Sequence, residues 1–159
     1  HGMRRDYFTL DVQNIDWVDE DGSPSKPTVT IHFEGPSSTL RERLTGPDGD
    51  LLVADETDVT FRLQESVDEP GATGVVSVTN RTTGDFILEL NEEAEDVLRF
   101  IRAARTYGQE TSDTTGRYHV EIAINGDDEV EYEKSTFLVY NREGNLLRQH
   151  SLIPSGVEL

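Results

Sequence analysis

Apolar and polar residues alternate along most of the chain in short segments, and this period of two is typical of β-strands with one buried face. Residues 28–34, for example, place Val29, Ile31 and Phe33 on one side and polar residues on the other. The same pattern predicts eight strands, at residues 7–12, 28–34, 58–64, 74–80, 85–90, 117–124, 130–140 and 146–153. Short strands at this spacing predict a mainly antiparallel fold, either a sandwich or a partly open barrel.

Turn-forming residues separate the predicted strands. The sequence Arg81-Thr82-Thr83-Gly84 predicts a four-residue hairpin loop between two of them. Residues 125–128 and 142–145, which are rich in Asn, Asp and Gly, predict two further turns.

One segment has a helical period instead. Between Glu92 and Tyr107 the apolar residues recur every three or four positions, which predicts an amphipathic helix. Asn91 is its predicted cap and Gly108 its predicted end. The apolar stripe consists of Ala94, Val97, Leu98, Ile101 and Ala104. Because such a stripe has to be buried against another element, we predict an α+β domain with this one helix packed on a sheet.

Three shorter segments are less regular. Residues 51–53 and 136–140 lack the alternation of apolar and polar positions, so we expect strands covered on both faces, by the helix or by another chain. Residues 37–44 fit two structures equally well. Thr39 and Glu42 have the spacing of a capping box, which would open a single helical turn, and a strand fits the same residues.

The charge balance is strongly acidic. Asp and Glu number 32 against 14 Lys and Arg, which gives a formal net charge of -18, and Lys26 and Lys134 are the only lysines. Such an excess destabilises a compact chain by self-repulsion, whereas at 1 M salt the screening length falls to about 3 Å. We therefore expect a halophilic protein of a salt-rich cytoplasm, with solvent cations at its acidic surface. The absence of cysteine excludes disulfides, thiolate nucleophiles and Cys-based metal sites.

The length of 159 residues is that of one domain. We assign residues 1–3 to a cloning remnant followed by the start methionine, and residues 4–159 to a single domain. The longest apolar runs are far shorter than the roughly 20 residues that span a bilayer, so no membrane association is expected.

Two His-x-Glu pairs are the best candidates for a metal site, namely His32 with Glu34 and His119 with Glu121. Residues two apart on a strand share a face, so each imidazole would lie beside its carboxylate. If the two strands were neighbours, both pairs would converge on a zinc or iron ion, and His150 would be a fifth group. The alternative is that they are only the polar faces of half-buried strands.

Other kinds of site find less support. The acidic stretch at 16–23 (DWVDEDGS) lacks the ligand spacing of an EF-hand calcium loop, so we interpret it as a solvated turn. No phosphate-binding glycine loop and no nucleophile elbow occurs, and we expect no cofactor and no assignable catalytic residue. Arg99, Arg102 and Arg105 form the only basic stripe of note, which suits a helix C-terminus, so nucleic-acid binding is not expected.

Three segments carry a family resemblance. They are residues 4–10 (RRDYFTL), 44–49 (LTGPDG) and 94–104 (AEDVLRFIRAA). Together with the acidic bias they resemble a family of small uncharacterised haloarchaeal proteins, a domain of unknown function. The resemblance covers the chain from Met3 onwards. It implies a halophilic archaeal source and no assigned activity or site residues.

Two functions from different classes remain open. The first is a non-catalytic cytoplasmic binding or structural module that forms a homo-oligomer or binds a protein partner. The alternative is a metal-dependent enzyme or small-ligand binder that uses His32, Glu34, His119 and Glu121.

Overall fold

The structure is a computed structural model that describes residues 7–18, 22–113 and 115–153, with residues 128 and 129 described by their backbone only. These residues form eight strands and two α-helices. The strands are β1 (Phe8–Gln13), β2 (Thr28–Phe33), β3 (Thr57–Leu63), β4 (Thr73–Asn80), β5 (Phe86–Glu93), β6 (Tyr118–Ile124), β7 (Asp127–Lys134) and β8 (Leu138–Tyr140). The helices are α1 (Ser37–Arg43) and α2 (Ala94–Glu110).

The strands are arranged in two four-stranded sheets. Sheet I has the order β1-β2-β6-β7, and sheet II has the order β5-β4-β3-β8. The two sheets share one core, in which the largest fully buried side chains include Phe33, Phe61 and Tyr118. The described residues therefore combine helices and strands, as predicted, and their two sheets fit a sandwich, which is one of the two predicted architectures.

The sheets are mixed, whereas we expected a mainly antiparallel fold. β2 pairs with β6 in parallel, and β3 pairs with β8 in parallel, while the other neighbours are antiparallel. Parallel neighbours need a long crossover, and here all of sheet II except β8, together with α2, lies between β2 and β6. Alternation in the sequence reports which face of a strand is buried but not the direction of its partner.

Helix α2 is present but shifted from its predicted bounds. It begins at Ala94 because β5 continues through Glu93, which replaces Asn91 as the N-cap, and it ends at Glu110, beyond Gly108. Gly108 lies within the last turns of the helix, and the Arg117 side chain packs directly against it. The buried face includes Phe100, whose ring meets Tyr118 at 5.4 Å and Phe137 at 6.4 Å between centroids.

Two of the irregular segments, and the last predicted strand, have the following structures. Residues 37–43 form helix α1 rather than a strand, and the preceding Pro36 provides no side-chain cap. The segment 51–53 is not a strand covered on both faces, since Leu51 and Val53 are 47% and 58% exposed. The strand predicted at residues 146–153 is also wrong. Residues 148–150 form a 3-10 helix, and only two isolated bridges occur, one between Leu146 and Tyr140 and one between Leu152 and Phe137.

Lysine 134 ties the two sheets together. It stands on β7 at the edge of sheet I and is only 5% exposed. Its Nζ donates hydrogen bonds to the carbonyl oxygens of Ala54 at 2.8 Å and Thr57 at 2.7 Å, where the chain enters β3 of sheet II. Burial, reinforced by the charge of Arg81, lowers the pKa of Lys134 despite the nearby Asp58 and Asp55.

We expect Lys134→Met to lower the free energy of unfolding by about 1–3 kcal/mol, because it leaves buried carbonyl groups without donors. Urea unfolding at a fixed KCl concentration measures this change. Lys26→Met is the matched control, since it removes the same charge from a position whose ion pairs with acidic side chains are worth roughly 0–1 kcal/mol. Equal losses in both variants would show that net charge, and not the carbonyl contacts, is responsible.

Candidate metal centre on sheet I

The outer face of sheet I brings His119 and three glutamates together. In β6 the residues Tyr118, Val120 and Ile122 point into the core, so His119 and Glu121 point outward. Antiparallel pairing with β7 places Glu133 opposite His119 and Glu131 opposite Glu121. These four side chains occupy two adjacent cross-strand rows of one sheet face.

The imidazole of His119 lies between carboxylates at both of its nitrogen atoms. His119 Nε2 is 3.0 Å from Glu131 Oε1 and 3.3 Å from Glu121 Oε1. On the other side of the ring, His119 Nδ1 contacts Glu133 Oε2. An ionised carboxylate has only acceptor atoms, so Nδ1 carries a hydrogen and donates it to Glu133. The orientation of the ring is thereby fixed.

Further residues hold the carboxylates in place. Lys26 Nζ donates to Glu133 Oε1 at 2.6 Å and lies 3.1 Å from Asp113 Oδ2. The Thr30 hydroxyl, on β2, donates to the second oxygen of Glu121 at 3.3 Å. Asp113 also accepts a hydrogen bond from the Tyr107 hydroxyl at 2.7 Å. Glu133 and Glu121 are therefore each held by a donor besides His119.

The surrounding charges change the protonation of the cluster. Burial lowers the pKa of His119, but the hydrogen bond and charge of Glu133, with Glu131 and Glu121, outweigh it and raise the pKa. Burial raises the pKa of Glu133, but its hydrogen bonds with Lys26 and His119 outweigh that effect and lower the pKa. Without a metal, His119 is therefore readily protonated and shares its second N–H with Glu131 and Glu121.

Three side chains each offer one ligand atom within 4.8 Å of the other two, namely His119, Glu121 and Glu131. These atoms are close enough for a single cation to bind all three in place of the Nε2 proton. One imidazole and two carboxylates are ligands for zinc and other divalent transition metals. Glu133 occupies the position of the second-layer carboxylate that commonly orients a metal-binding histidine.

Of the four residues predicted as metal ligands, the structure joins His119 and Glu121 and separates His32 and Glu34 from them. β2 and β6 are neighbours, but their parallel register sets Thr28, not His32, beside His119. His32 lies four residues further along the strand than Thr28, a distance of about 13 Å. His32 Nε2 instead lies 3.0 Å from Asp11 Oδ2. Glu34 follows the end of β2 and is exposed.

Glu131 and Glu133 were not identified in the sequence. The signal that could have found them is the turn Asn125-Gly126, in which both residues have positive φ, as in the tightest hairpins. Pairing the strands across that turn brings the alternating acids of 130–134 towards His119, although a bulge after Ile122 shifts the register. His150 lies elsewhere, in the 3-10 helix that follows β8 of sheet II.

Two other sequence features have structural roles. In the acidic stretch 16–23, residues 19–21 lie outside the described part of the chain. Asp16 forms an ion pair with Arg99, with 3.1 Å between Oδ1 and Nη2. Arg105 Nη2 donates to the Ser151 carbonyl oxygen at 2.8 Å, which ties α2 to the chain beyond β8. Two arginines of the predicted basic stripe thus make contacts within the fold, in agreement with a structural role for them.

The family comparison agrees with the resemblance noted in the sequence. The model of a family of unknown function, DUF5793, matches residues 3–159. The chain belongs to this family. No curated protein and no solved structure matches it. Membership assigns neither a catalytic activity nor a specific function to the chain. No helix of the described residues is long and apolar enough to cross a membrane.

The raised pKa of His119 gives a test in metal-free protein. Because the pKa in the folded state exceeds the ordinary value of 6.5, the contribution of protonated His119 to stability is complete below that value and is lost as the pH rises through the folded pKa. With a chelator present, His119→Ala should therefore cost more stability at pH 6 than at pH 9. An NMR titration of the ring gives the pKa directly, and Glu133→Gln should lower it. A His119 pKa at or below 6.5 would contradict the arrangement.

Proposed function

We propose that this DUF5793 protein is a non-catalytic binding module for one divalent transition-metal ion, held by His119 Nε2, Glu121 and Glu131. The observation that carries the proposal is the position of Nε2 within 3.3 Å of a carboxylate oxygen from each of two neighbouring strands. Glu133 is the positioning residue, because it holds the opposite nitrogen of the ring.

Repulsion between the two carboxylates supports a cation at this point. Glu121 and Glu131 stand directly opposite each other on paired strands. Like charges in that position destabilise a sheet. In the metal-free state the second N–H of protonated His119 offsets the repulsion, and a divalent ion would supply more positive charge at the same place while that proton is released.

The donor set favours a particular class of metal. Imidazole suits zinc, iron and nickel, whereas calcium and magnesium prefer oxygen ligands alone. Potassium in a salt-rich cell would compete for the carboxylates but poorly for the imidazole nitrogen. Three protein ligands leave coordination positions for water or for a group on a partner.

Exposure favours binding over catalysis. Glu131 is 65% exposed at its side chain and lies on a sheet face, whereas enzyme sites are commonly concave and exclude water. A metal at such a face is suited to holding a ligand group of another molecule.

We expect stoichiometric binding of Zn²⁺, or of Co²⁺ as a spectroscopic probe, by isothermal titration in 2 M KCl at pH 7.5. His119→Ala should abolish it, and Glu133→Gln should weaken it about 10–100-fold through loss of ring orientation. Binding should also release protons, so the observed heat should depend on the buffer.

His32→Ala is the matched control for this titration, since His32 also stands beside a carboxylate on the outer face of sheet I. All samples should carry His1→Ala, because a histidine at the chain terminus binds metals by itself. Equal effects of His32→Ala and His119→Ala, or binding that persists in His119→Ala, would contradict the proposed site.

We further propose that the protein works in the salt-rich cytoplasm of a haloarchaeon. The net charge of -18 and the use of only two lysines support this environment. The two lysines have specific contacts, Lys134 with buried carbonyl groups and Lys26 with Glu133 and Asp113. Lysine is therefore found at contacts within the fold and not as a general surface charge.

The fold should loosen reversibly below about 1 M KCl, because repulsion between acidic side chains is then no longer screened. Near-UV circular dichroism and urea unfolding across a KCl series measure the effect. A parallel series in sucrose, which favours compact states by exclusion but does not screen charge, is the control. Equal stability at 0.1 M and 2 M KCl would contradict the salt adaptation.

Self-association, or binding to a protein partner, stays a prediction. Phe86 is 52% exposed and stands on β5, an edge strand of sheet II. An edge strand offers unpaired backbone groups to a further strand, so this is where we would expect a second copy to bind.

A further inference from the structure

A cavity of about 350 Å³ lies between the two sheets, on the opposite side of sheet I from His119. Its walls come from the inner faces of both sheets and from α2, and include Leu10 and Val12 of β1, Val78 of β4, and Val97 and Phe100 of α2. Most of its exposed lining residues lie at 13–16 and at Asp96 in the first turn of α2, which indicates an opening there, beside the edge strand β1.

A void of this size and composition is unusual in a protein core. Interiors are packed as densely as organic crystals and contain few spaces larger than a water molecule. An apolar cavity of about 150 Å³ is already large enough to bind benzene. The present cavity is larger and falls within the range of about 300–1,000 Å³ of small-molecule sites.

The mouth of the cavity is acidic. Asp16, Glu92 and Asp96 line it together with one basic residue, Arg99, which pairs with Asp16 at 3.1 Å. Burial, with the charges of Asp96 and Glu93, raises the pKa of Glu92. The negative charge of Asp96 contributes to this rise, so a positive charge between Glu92 and Asp96 would offset their repulsion.

We propose that this cavity binds a small cationic amphiphile, an apolar chain or ring that carries an ammonium group. The apolar part fills the space between the sheets, and the ammonium group lies at the mouth between Glu92 and Asp96. This site is separate from the metal centre and does not depend on it, because the two use opposite faces of sheet I.

The size of the cavity sets the length of the ligand. A methylene group takes up about as much space as a water molecule, whose share of liquid volume is about 30 Å³. A chain of eight carbons then needs on the order of 240 Å³, which the cavity holds with its head group at the mouth.

Three probes with the same chain separate shape from charge: n-octylammonium, n-octanol and n-octanoate, each below its micelle concentration. We expect saturable binding in 2 M KCl by calorimetry, with shifts of cavity methyl groups in NMR spectra. The dissociation constant of octylammonium should be about fivefold lower than that of octanol, because one partly exposed ion pair contributes about 1 kcal/mol. Octanoate should bind least tightly. Equal or tighter binding of octanol or octanoate, or no saturable binding, would overturn the proposal.

Variants test the two parts of the site independently. Val97→Phe fills the cavity and should abolish binding of the probes without lowering the stability of the fold, and Val12→Phe serves the same purpose if Val97→Phe does not fold. Unchanged binding in the folded variant would overturn the proposal.

The double variant Glu92→Gln/Asp96→Asn should remove the preference for octylammonium over octanol. Its matched control is Glu69→Gln/Glu95→Gln, which changes the net charge equally near the start of α2, in residues that do not line the cavity. The control should keep the preference. Loss of the preference in both double variants would show that net charge alone produces it, and would overturn the assignment of the mouth.

Discussion

The pairing of β6 with β2 on one side and β7 on the other is the constraint on which the rest of the structure depends. β6 is an interior strand of sheet I, so its backbone is hydrogen-bonded along both edges and its two faces are fixed. Its inner residues, with Tyr118 and Ile122 fully buried, contribute to the core. Its outer residues, His119 and Glu121, are held in register with Glu133 and Glu131. A shift by one residue would exchange the two faces, burying a histidine and exposing the core.

Much of this arrangement could be predicted from the sequence, because burial leaves a periodic trace. Alternation identified the segments of most strands and correctly placed His119 and Glu121 on one face. The helical period located α2, although Asn91 was a wrong cap because β5 continues to Glu93. A hydrophobic pattern marks where a helix is buried, whereas its first residue depends on the preceding segment, here on the continuation of β5 to Glu93.

The rest could not be predicted, because it depends on which strands become neighbours. The parallel direction of β2 against β6 separates His32 from His119, and no alternation pattern contains that direction. The apolar residues near Leu146 and Leu152 resemble a strand, yet only isolated bridges form there, since a strand needs a partner along its whole length. Glu131 and Glu133 became candidates only once the bulged register of β7 was known.

The acidity of the chain raises the question of what distinguishes a metal site from an ordinary acidic surface. The difference lies in the donors that position the acids. His32 and Asp11 form a single pair on the same sheet face. At His119, by contrast, Glu133 holds one ring nitrogen, Lys26 holds Glu133, and Thr30 holds Glu121, so two of the three ligand groups, His119 and Glu121, are oriented before a cation arrives. Ordered ligands lose less conformational entropy on binding than free side chains do. Such fixed geometry is the property that would let one place on a protein with a net charge of -18 bind a divalent metal in preference to monovalent cations.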